Sequence, residues 1–259
     1  MLLRRLYSTL FWSFLVVSSI ALFPVALVTW ASTAAFDRRL AVLHQFTCFW
    51  GSLYTWVNPL WPVAVHGREK IRPGETYVMV ANHLSLLDIL VLFRLFRHFK
   101  WVSKIENFRI PCIGWNMRLN RYIPLRRGDR ESVIQMMAAC EETLAAGNSI
   151  MMFPEGTRSL TGELKAFKPG AFELALKSRR PILPIVLSGT ANALPKRGFV
   201  LQGRHPITVS VLDPIPPERF EGMSAKELTE QVRGVIAAAQ ASSGAGLAGR
   251  GRSEGAASA

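Results

Sequence analysis

A histidine and an aspartate lie five residues apart in the segment NHLSLLD, residues 82–88. Asp88 lies among leucines and an isoleucine, and a buried carboxylate needs a partner because a lone buried charge is costly. If His83 precedes the first turn of a helix and Asp88 lies in its second, the carboxylate can bind one imidazole nitrogen. That pair would fix the tautomer and leave the other nitrogen as a general base. The spacing also fits a structural role, in which His83 caps the helix and Asp88 pairs with Arg94.

The chain offers no obvious protein nucleophile beside this pair. No predicted strand leads into a G-x-S-x-G turn, so a catalytic serine would lack its usual frame. A histidine–aspartate pair without such a serine predicts that a hydroxyl group of the substrate makes the attack.

A second group of polar residues, PEGTRS at 154–159, follows an apolar run at 149–153. An arginine and the backbone N–H groups of a glycine turn form a natural cradle for a phosphate. Arg158 and Gly156 are therefore candidates for binding an anion. Taken alone, the segment fits an ordinary surface turn better than an anion site.

The elements around these two segments indicate an α/β domain, because short apolar runs alternate with amphipathic helices. A strand at 76–81 and a helix at 84–96 flank the first segment, and a strand at 149–153 precedes the second. The other predicted elements are strands at 121–125, 182–187 and 207–212 and helices at 129–146, from about 169, and at 224–239.

The N-terminal region predicts contact with a membrane. No charged residue occurs from Leu10 to Phe36, and about 20 helical residues suffice to cross a bilayer core of about 30 Å. Trp12 and Trp30 lie near the two ends, where aromatic rings favour the headgroup zone. A cleaved signal peptide is the alternative, although its apolar region typically has about 7–15 residues. We predict a membrane anchor, followed at 40–65 by an interfacial or re-entrant segment.

These patterns divide the chain into three parts. Residues 1–65 form the membrane segment, 66–240 the catalytic domain, and 241–259 a tail predicted to be disordered because it is rich in Gly, Ala and Ser. The arginine pairs on both sides of the first apolar run leave its orientation open.

The net charge of +13 predicts an anionic partner. The chain has neither zinc-finger spacing nor an aromatic-basic RNA-binding run, so a nucleic acid is supported by charge alone and an anionic membrane is favoured. Three widely spaced cysteines without a C-x-x-C pair argue against a disulfide scaffold and against a structural zinc site.

Several blocks of the sequence, in order, resemble the glycerolipid acyltransferases of the 1-acylglycerol-3-phosphate acyltransferase (PlsC-like) family. NHLSLLD is similar to the family's motif N-H-x-x-x-x-D, and FPEGTRS at 153–159 is similar to its third motif. The resemblance implies a mixed β-sheet flanked by helices, with a membrane-embedded N-terminal segment. The remaining similar blocks are Lys104–Glu106 with Pro111, Gly114 and Trp115, then Tyr122–Arg127, 167–170 and 181–190.

The resemblance also implies roles for single residues. His83 is the general base and Asp88 its orienting partner. Arg126 stands where many family members have an acidic residue, which leaves open whether Arg126 or Arg127 binds the phosphate of the acceptor. With that reservation, the implied substrate-binding residues are Arg127, Glu155, Gly156, Thr157 and Arg158.

The implied reaction moves a fatty acyl group from acyl-CoA or acyl-carrier protein to lysophosphatidic acid, giving phosphatidic acid without metal or cofactor. The resemblance places the enzyme at a membrane, with its catalytic domain facing the cytoplasm, at the inner membrane in a bacterium. Two alternatives remain: the same chemistry on another acceptor, such as lyso-ornithine lipid or a lysophospholipid, and a non-catalytic lipid-binding protein of the same fold.

Overall fold

The computed structural model describes residues 1–196 and 199–255. Those residues form a seven-stranded mixed sheet flanked by helices, as the resemblance implies. The strands are β1 Val63–His66, β2 Val78–Ala81, β3 Phe99–Lys104, β4 Ile123–Leu125, β5 Ser149–Met152, β6 Ile182–Ser188 and β7 Ile207–Val211. The helices are α1 Leu2–Thr33, α2 Ala41–Trp56, α3 Leu87–Phe93, α4 Ile113–Leu119, α5 Arg130–Ala145, α6 Gly170–Ser178, α7 Thr190–Ala193 and α8 Ala225–Gly255.

The strand order is β1-β7-β6-β2-β5-β3-β4. β6 and β7 pair antiparallel, and the other neighbours are parallel. The adjacent strands β2, β5, β3 and β4 therefore end at one edge of the sheet, where ligands of parallel sheets usually bind. Both polar segments of the sequence lie at this edge.

The sheet is buried on both faces, as expected for parallel strands covered by helices. In β2, Met79 and Ala81 pack into one hydrophobic cluster with residues of α2 and α3. Val78 and Val80 point the other way, into a second cluster with α5, α6 and α8. This alternation holds the end of β2 firmly between two cores.

The structure differs from the predicted elements in several places. α3 begins at Leu87 instead of residue 84, because the backbone before it forms a turn around a side chain of that helix. β1 and β3 were not predicted, and β1 at Val63–His66 makes the proposed domain boundary after residue 65 fall within a strand.

The C-terminal helix is also longer than predicted. α8 continues to Gly255, so the backbone of the residues predicted as a disordered tail is helical that far, in a segment that includes alanine, a strong helix former. Residues 256–259 of that tail lie outside the described residues. The division into three parts stays a prediction.

Candidate active site

The imidazole of His83 and the carboxylate of Asp88 form a buried pair at the carboxyl end of β2. Nδ1 of His83 lies 2.8 Å from Oδ2 of Asp88, and Asp88 is fully buried. Because an ionised carboxylate only accepts hydrogen bonds, Nδ1 carries the proton and donates it. Among the described residues Nε2 has no hydrogen-bond partner, so this nitrogen is free to act as a base.

Asp88 also shapes the turn that carries the histidine. The same Oδ2 accepts the backbone N–H groups of Leu84 at 2.6 Å and Ser85 at 2.8 Å. The alternative pairing with Arg94 does not occur, because that guanidinium donates to Thr55 and lies over a tryptophan ring. The spacing of five residues therefore serves the pair and the turn together.

Asn82 fixes the other side of the turn. Its side-chain amide is fully buried and bonds both backbone groups of Leu187 in β6, at 3.0 and 2.8 Å. The side chain thus replaces a backbone peptide group in the ladder between neighbouring strands, which lets the chain leave β2 at His83 without orphaned polar groups.

The loop after β5 holds the backbone of His83 from the neighbouring strand. His83 N–H donates to Oε1 of Glu155 at 2.7 Å, and the Ser159 N–H donates to His83 O at 2.8 Å. Oε2 of Glu155 accepts from the Lys165 N–H at 3.2 Å. Burial raises the pKa of Glu155, and the backbone N–H donors of His83 and Lys165 oppose that rise. The two polar segments of the sequence are therefore one structural unit.

An aromatic ring covers one face of the imidazole. Phe153 stacks on His83 with ring centroids 4.0 Å apart and planes 10° from parallel. Trp101 in turn lies 5.4 Å from Phe153. The stack restricts rotation of the imidazole and continues as apolar surface into the adjoining space.

A cavity of about 280 Å³ opens beside the pair, between the sheet and helices α1 to α4. Leu86, Trp101 and Phe153 are among its apolar lining residues, and His83, Lys104 and Arg127 also line it. A cavity of this character suits a ligand with a long apolar part and an anionic group near the histidine.

The two adjacent arginines after β4 have different surroundings. Arg127 lines the cavity together with His83. Arg126 is 60% exposed in its side chain, which lies 3.8 Å from Asp129, and its N–H donates to Ser132. The geometry therefore favours Arg127 as the residue that meets a ligand.

The remaining predicted residues lie in the turn after Glu155. Gly156 has a φ of +68°, a backbone conformation that residues other than glycine rarely adopt. A Cβ at this position would lie 3.0 Å from Cε of Lys168. Thr157 and Arg158 are partly exposed. The structure thus brings His83, Asp88 and Glu155 into direct contact, whereas Thr157 and Arg158 lie on the loop beside them.

Sequence reasoning missed several residues that the site uses. Phe153 and Ser159 belong to the FPEGTRS segment, and Asn82 begins the first motif, so proximity within those motifs was the available signal. Lys104 was named only as part of a block that resembles the family, without a role, and it stands at the end of β3, a strand that was not predicted. Among the residues that the structure describes, no group of three or more His, Cys, Asp or Glu side chains could hold a metal ion.

Comparisons with known proteins show the family and the fold of this chain. A family model described as "Acyltransferase" matches residues 62–188. A 1-acyl-sn-glycerol-3-phosphate acyltransferase of Chlamydomonas reinhardtii is 38% identical over 243 residues, which cover 91% of this chain and 70% of that protein. The enzyme of the same name from Brassica napus, chloroplastic BAT2, is 34% identical over 85% of this chain and 63% of its own length. The enzyme from Saccharomyces cerevisiae is 36% identical over 66% of this chain and 57% of its own length.

The chain therefore spans between 57% and 70% of the length of these three relatives. Among solved structures, the 1-acyl-sn-glycerophosphate acyltransferase PlsC from Thermotoga maritima has the same fold, with a TM-score of 0.73 and 23% identity. The similarity covers 91% of this chain and 95% of that one.

Proposed function

This chain belongs to the acyltransferase family that includes the 1-acyl-sn-glycerol-3-phosphate acyltransferases, and from that membership we propose that it acylates the free hydroxyl of lysophosphatidic acid. The acyl donor is a fatty acyl thioester, acyl-CoA or acyl-carrier protein, and the product is phosphatidic acid for phospholipid synthesis. One observation carries the proposal: His83 is held on Asp88 through Nδ1 at 2.8 Å and lines the cavity with Nε2 free.

The mechanism follows from that arrangement. Nε2 of His83 takes the proton of the acceptor hydroxyl while its oxygen attacks the thioester carbonyl. The new ester C–O bond forms, the C–S bond breaks, and the imidazolium returns the proton to the departing thiolate. Asp88 stabilises the imidazolium in between, because its carboxylate accepts the Nδ1 proton throughout. No acyl-enzyme intermediate is needed.

The phosphate of the acceptor is bound by cations at the mouth of the cavity. Arg127 and Lys104 line the cavity with His83, and Lys104 also pairs with Glu106 at 3.2 Å. Gly156, Thr157 and Arg158 lie on the adjacent loop and extend this anion-binding surface. A guanidinium suits a phosphomonoester because its fork of donors matches two phosphate oxygens.

The acyl chain of the donor occupies the apolar part of the cavity. Gly51 of α2 lines this part, and Phe93 of α3 packs directly on its backbone, so that a Cβ on Gly51 would lie 2.4 Å from the Phe93 ring. Buried hydrocarbon contributes about 0.8 kcal/mol per CH₂ group. A long acyl chain would therefore gain most of its binding energy here.

The lipid substrates and α1 support association with a membrane. By length and composition α1 could cross a bilayer, but it packs along α2, the segment before β1 and the catalytic domain from its first turns past its midpoint. We place it in the plane of one leaflet, with the exposed apolar side chains towards the lipid and the catalytic domain on the cytoplasmic side. The contacts that hold it are Phe11 with Trp61, Trp12 with Phe199, Ser19 with Tyr54 and Phe23 with Trp115.

The test is release of thiol from palmitoyl-CoA or palmitoyl-acyl-carrier protein by purified protein in detergent. We expect release only with lysophosphatidic acid, formation of phosphatidic acid by mass spectrometry, and loss of both in His83→Ala. Turnover with lyso-ornithine lipid or a lysophospholipid, but not with lysophosphatidic acid, would show that the acceptor is that lipid and not lysophosphatidic acid. If the protein bound lipid but showed no turnover with either acyl donor, the result would support the alternative of a non-catalytic lipid-binding protein.

A further inference from the structure

The carboxylate of Glu155 has both oxygens engaged by this chain's own backbone. Oε1 accepts the His83 N–H at 2.7 Å, Oε2 accepts the Lys165 N–H at 3.2 Å, and the residue is only 5% exposed. A phosphate brought against it would meet a buried like charge and find no donor there. Glu155 is therefore placed to hold the backbone of His83.

The same loop holds both backbone polar groups of His83. Glu155 takes the N–H, and the Ser159 N–H reaches the carbonyl at 2.8 Å. Two bonds on opposite sides of one residue fix its backbone and therefore the direction of its Cα–Cβ bond. With Asp88 on Nδ1 and Phe153 on the ring face, every degree of freedom of the imidazole is restrained.

The charges around His83 are balanced between its two sides. Asp88 and Glu155 place carboxylates at Nδ1 and at the backbone N–H. Lys104 and Arg127 line the cavity that the histidine faces. Because opposite charges attract, both carboxylates favour the imidazolium that forms when the proton is taken.

We propose that Glu155 is a positioning residue that holds His83 through its backbone and stabilises the imidazolium, and that it is not a ligand of the acceptor's phosphate. The inference rests on the proposed function, because it concerns the base of that reaction. It differs from the role that the family resemblance implies for this glutamate.

The experiment separates kcat from KM in Glu155→Gln. We expect kcat to fall about 10²-fold, as misplacement of a catalytic group by about 1 Å can cause, while KM for lysophosphatidic acid stays within twofold. The acid limb of the kcat/KM profile should move to lower pH, because a carboxylate that favours the imidazolium has been removed. Glu163→Gln, an exposed glutamate of the same loop, is the matched control and should behave as wild type.

The opposite result would overturn the inference. If Glu155→Gln raised KM for lysophosphatidic acid more than tenfold and left both kcat and the pH profile unchanged, the glutamate would act on the acceptor. A wild-type protein without turnover would instead contradict the proposed function, so the two failures are distinguishable.

A measurement on the wild-type protein avoids any failure of the variant to fold. With ¹⁵N-histidine labelling, five backbone amide signals are expected, and His83 is identified by its absence in His83→Gln. Its amide proton should lie far downfield and shift as Glu155 titrates, at a pH above the usual range for glutamate. An amide that ignores pH between 4 and 7 would contradict the contact.

Discussion

Two buried histidines of this molecule have opposite surroundings. His83 binds one carboxylate through Nδ1 and keeps Nε2 open to the cavity. His44 in α2 uses both ring nitrogens: Nδ1 lies 2.9 Å from the Tyr122 hydroxyl and Nε2 lies 3.0 Å from Arg97 O. Because a carbonyl only accepts, Nε2 of His44 carries the proton and Nδ1 accepts from the tyrosine.

The charges nearby differ as well. Burial, followed by the charges of His98 and Lys100, holds the pKa of His44 well below its ordinary value. Burial and the same lysine lower the pKa of His98 to about 4. A buried histidine can thus act as a base where a carboxylate binds one ring nitrogen and the other nitrogen is free. A buried histidine that is surrounded by cations, and has both ring nitrogens hydrogen-bonded, stays neutral and has a structural role.

The largest expected effect comes from the same substitution at both histidines. His83→Gln should lower kcat/KM about 10²–10⁴-fold, the usual contribution of a general base, with little change in melting temperature. His44→Gln should lower the melting temperature by several degrees and leave kcat/KM of the folded protein within about threefold. Activity and thermal unfolding of both variants in one detergent check this; a catalytic loss of equal size at His44 would break the comparison.

Asp88→Asn should have the next largest effect. Oδ1 of Asp88 has no partner among the described residues, so the asparagine NH₂ can occupy that place while its oxygen keeps the three hydrogen bonds of Oδ2. Tautomer and turn are then preserved, and only the charge opposite the imidazolium is lost. We expect kcat to fall about 10–10²-fold with an unchanged circular dichroism spectrum.

Asp88→Leu is the matched contrast. It leaves the Leu84 and Ser85 N–H groups without acceptors, each at a cost of about 1–3 kcal/mol, and should unfold at a clearly lower temperature than Asp88→Asn. Equal melting temperatures for the two variants would show that the carboxylate does not hold the turn.

The cations at the cavity should contribute to binding, and only one of the two adjacent arginines should matter. Arg127→Ala is expected to raise KM for lysophosphatidic acid about tenfold, equal to about 1.4 kcal/mol, because a cation is lost beside the phosphate. Arg126→Ala, whose side chain faces Asp129, should stay within twofold. Steady-state kinetics of both variants test this prediction. A larger rise in KM for Arg126→Ala than for Arg127→Ala would assign phosphate binding to Arg126.

The smallest effect concerns stability around His44. Lys100 is buried, with Nζ donating to Arg39 O and Asn120 O, and burial lowers its pKa to about 7 from 10.5. Between these pH values the unfolded chain binds the proton that the folded chain releases, so stability rises with pH. The melting temperature of wild type, relative to Lys100→Met, should increase by several degrees from pH 7 to 10. A flat difference would mean that Lys100 stays charged in the fold.

The sequence alone was sufficient for the parts of the fold that follow from local pattern. The apolar runs after Tyr77 and Asn148 predicted β2 and β5, and the polar residues at their ends predicted where chemistry would lie. β3 was missed because Lys100 interrupts its apolar pattern, and nothing local reveals that two carbonyls from distant segments bind that lysine.

The details of the site depended on distant contacts. Arg127 follows β4, whose place in the sheet depends on pairing with β3, and the contact of Glu155 with the His83 backbone joins residues 72 positions apart. Single-sequence reasoning could place Glu155 near a phosphate only through resemblance. Its hydrogen bond to the His83 N–H exists because β2 and β5 are neighbours.

The proposed position of α1 in one leaflet has a consequence for the relative areas of the two monolayers of the membrane. In the proposed placement within one leaflet, a helix held against the rest of the protein at Phe11, Trp12 and Phe23 would present the cavity to one monolayer only. Each turnover would then convert a single-tailed, wedge-shaped lipid into a two-tailed one within that monolayer. The enzyme would increase the area of one monolayer of the bilayer. Balanced growth of the two monolayers would then require lipids to be moved across to the other one.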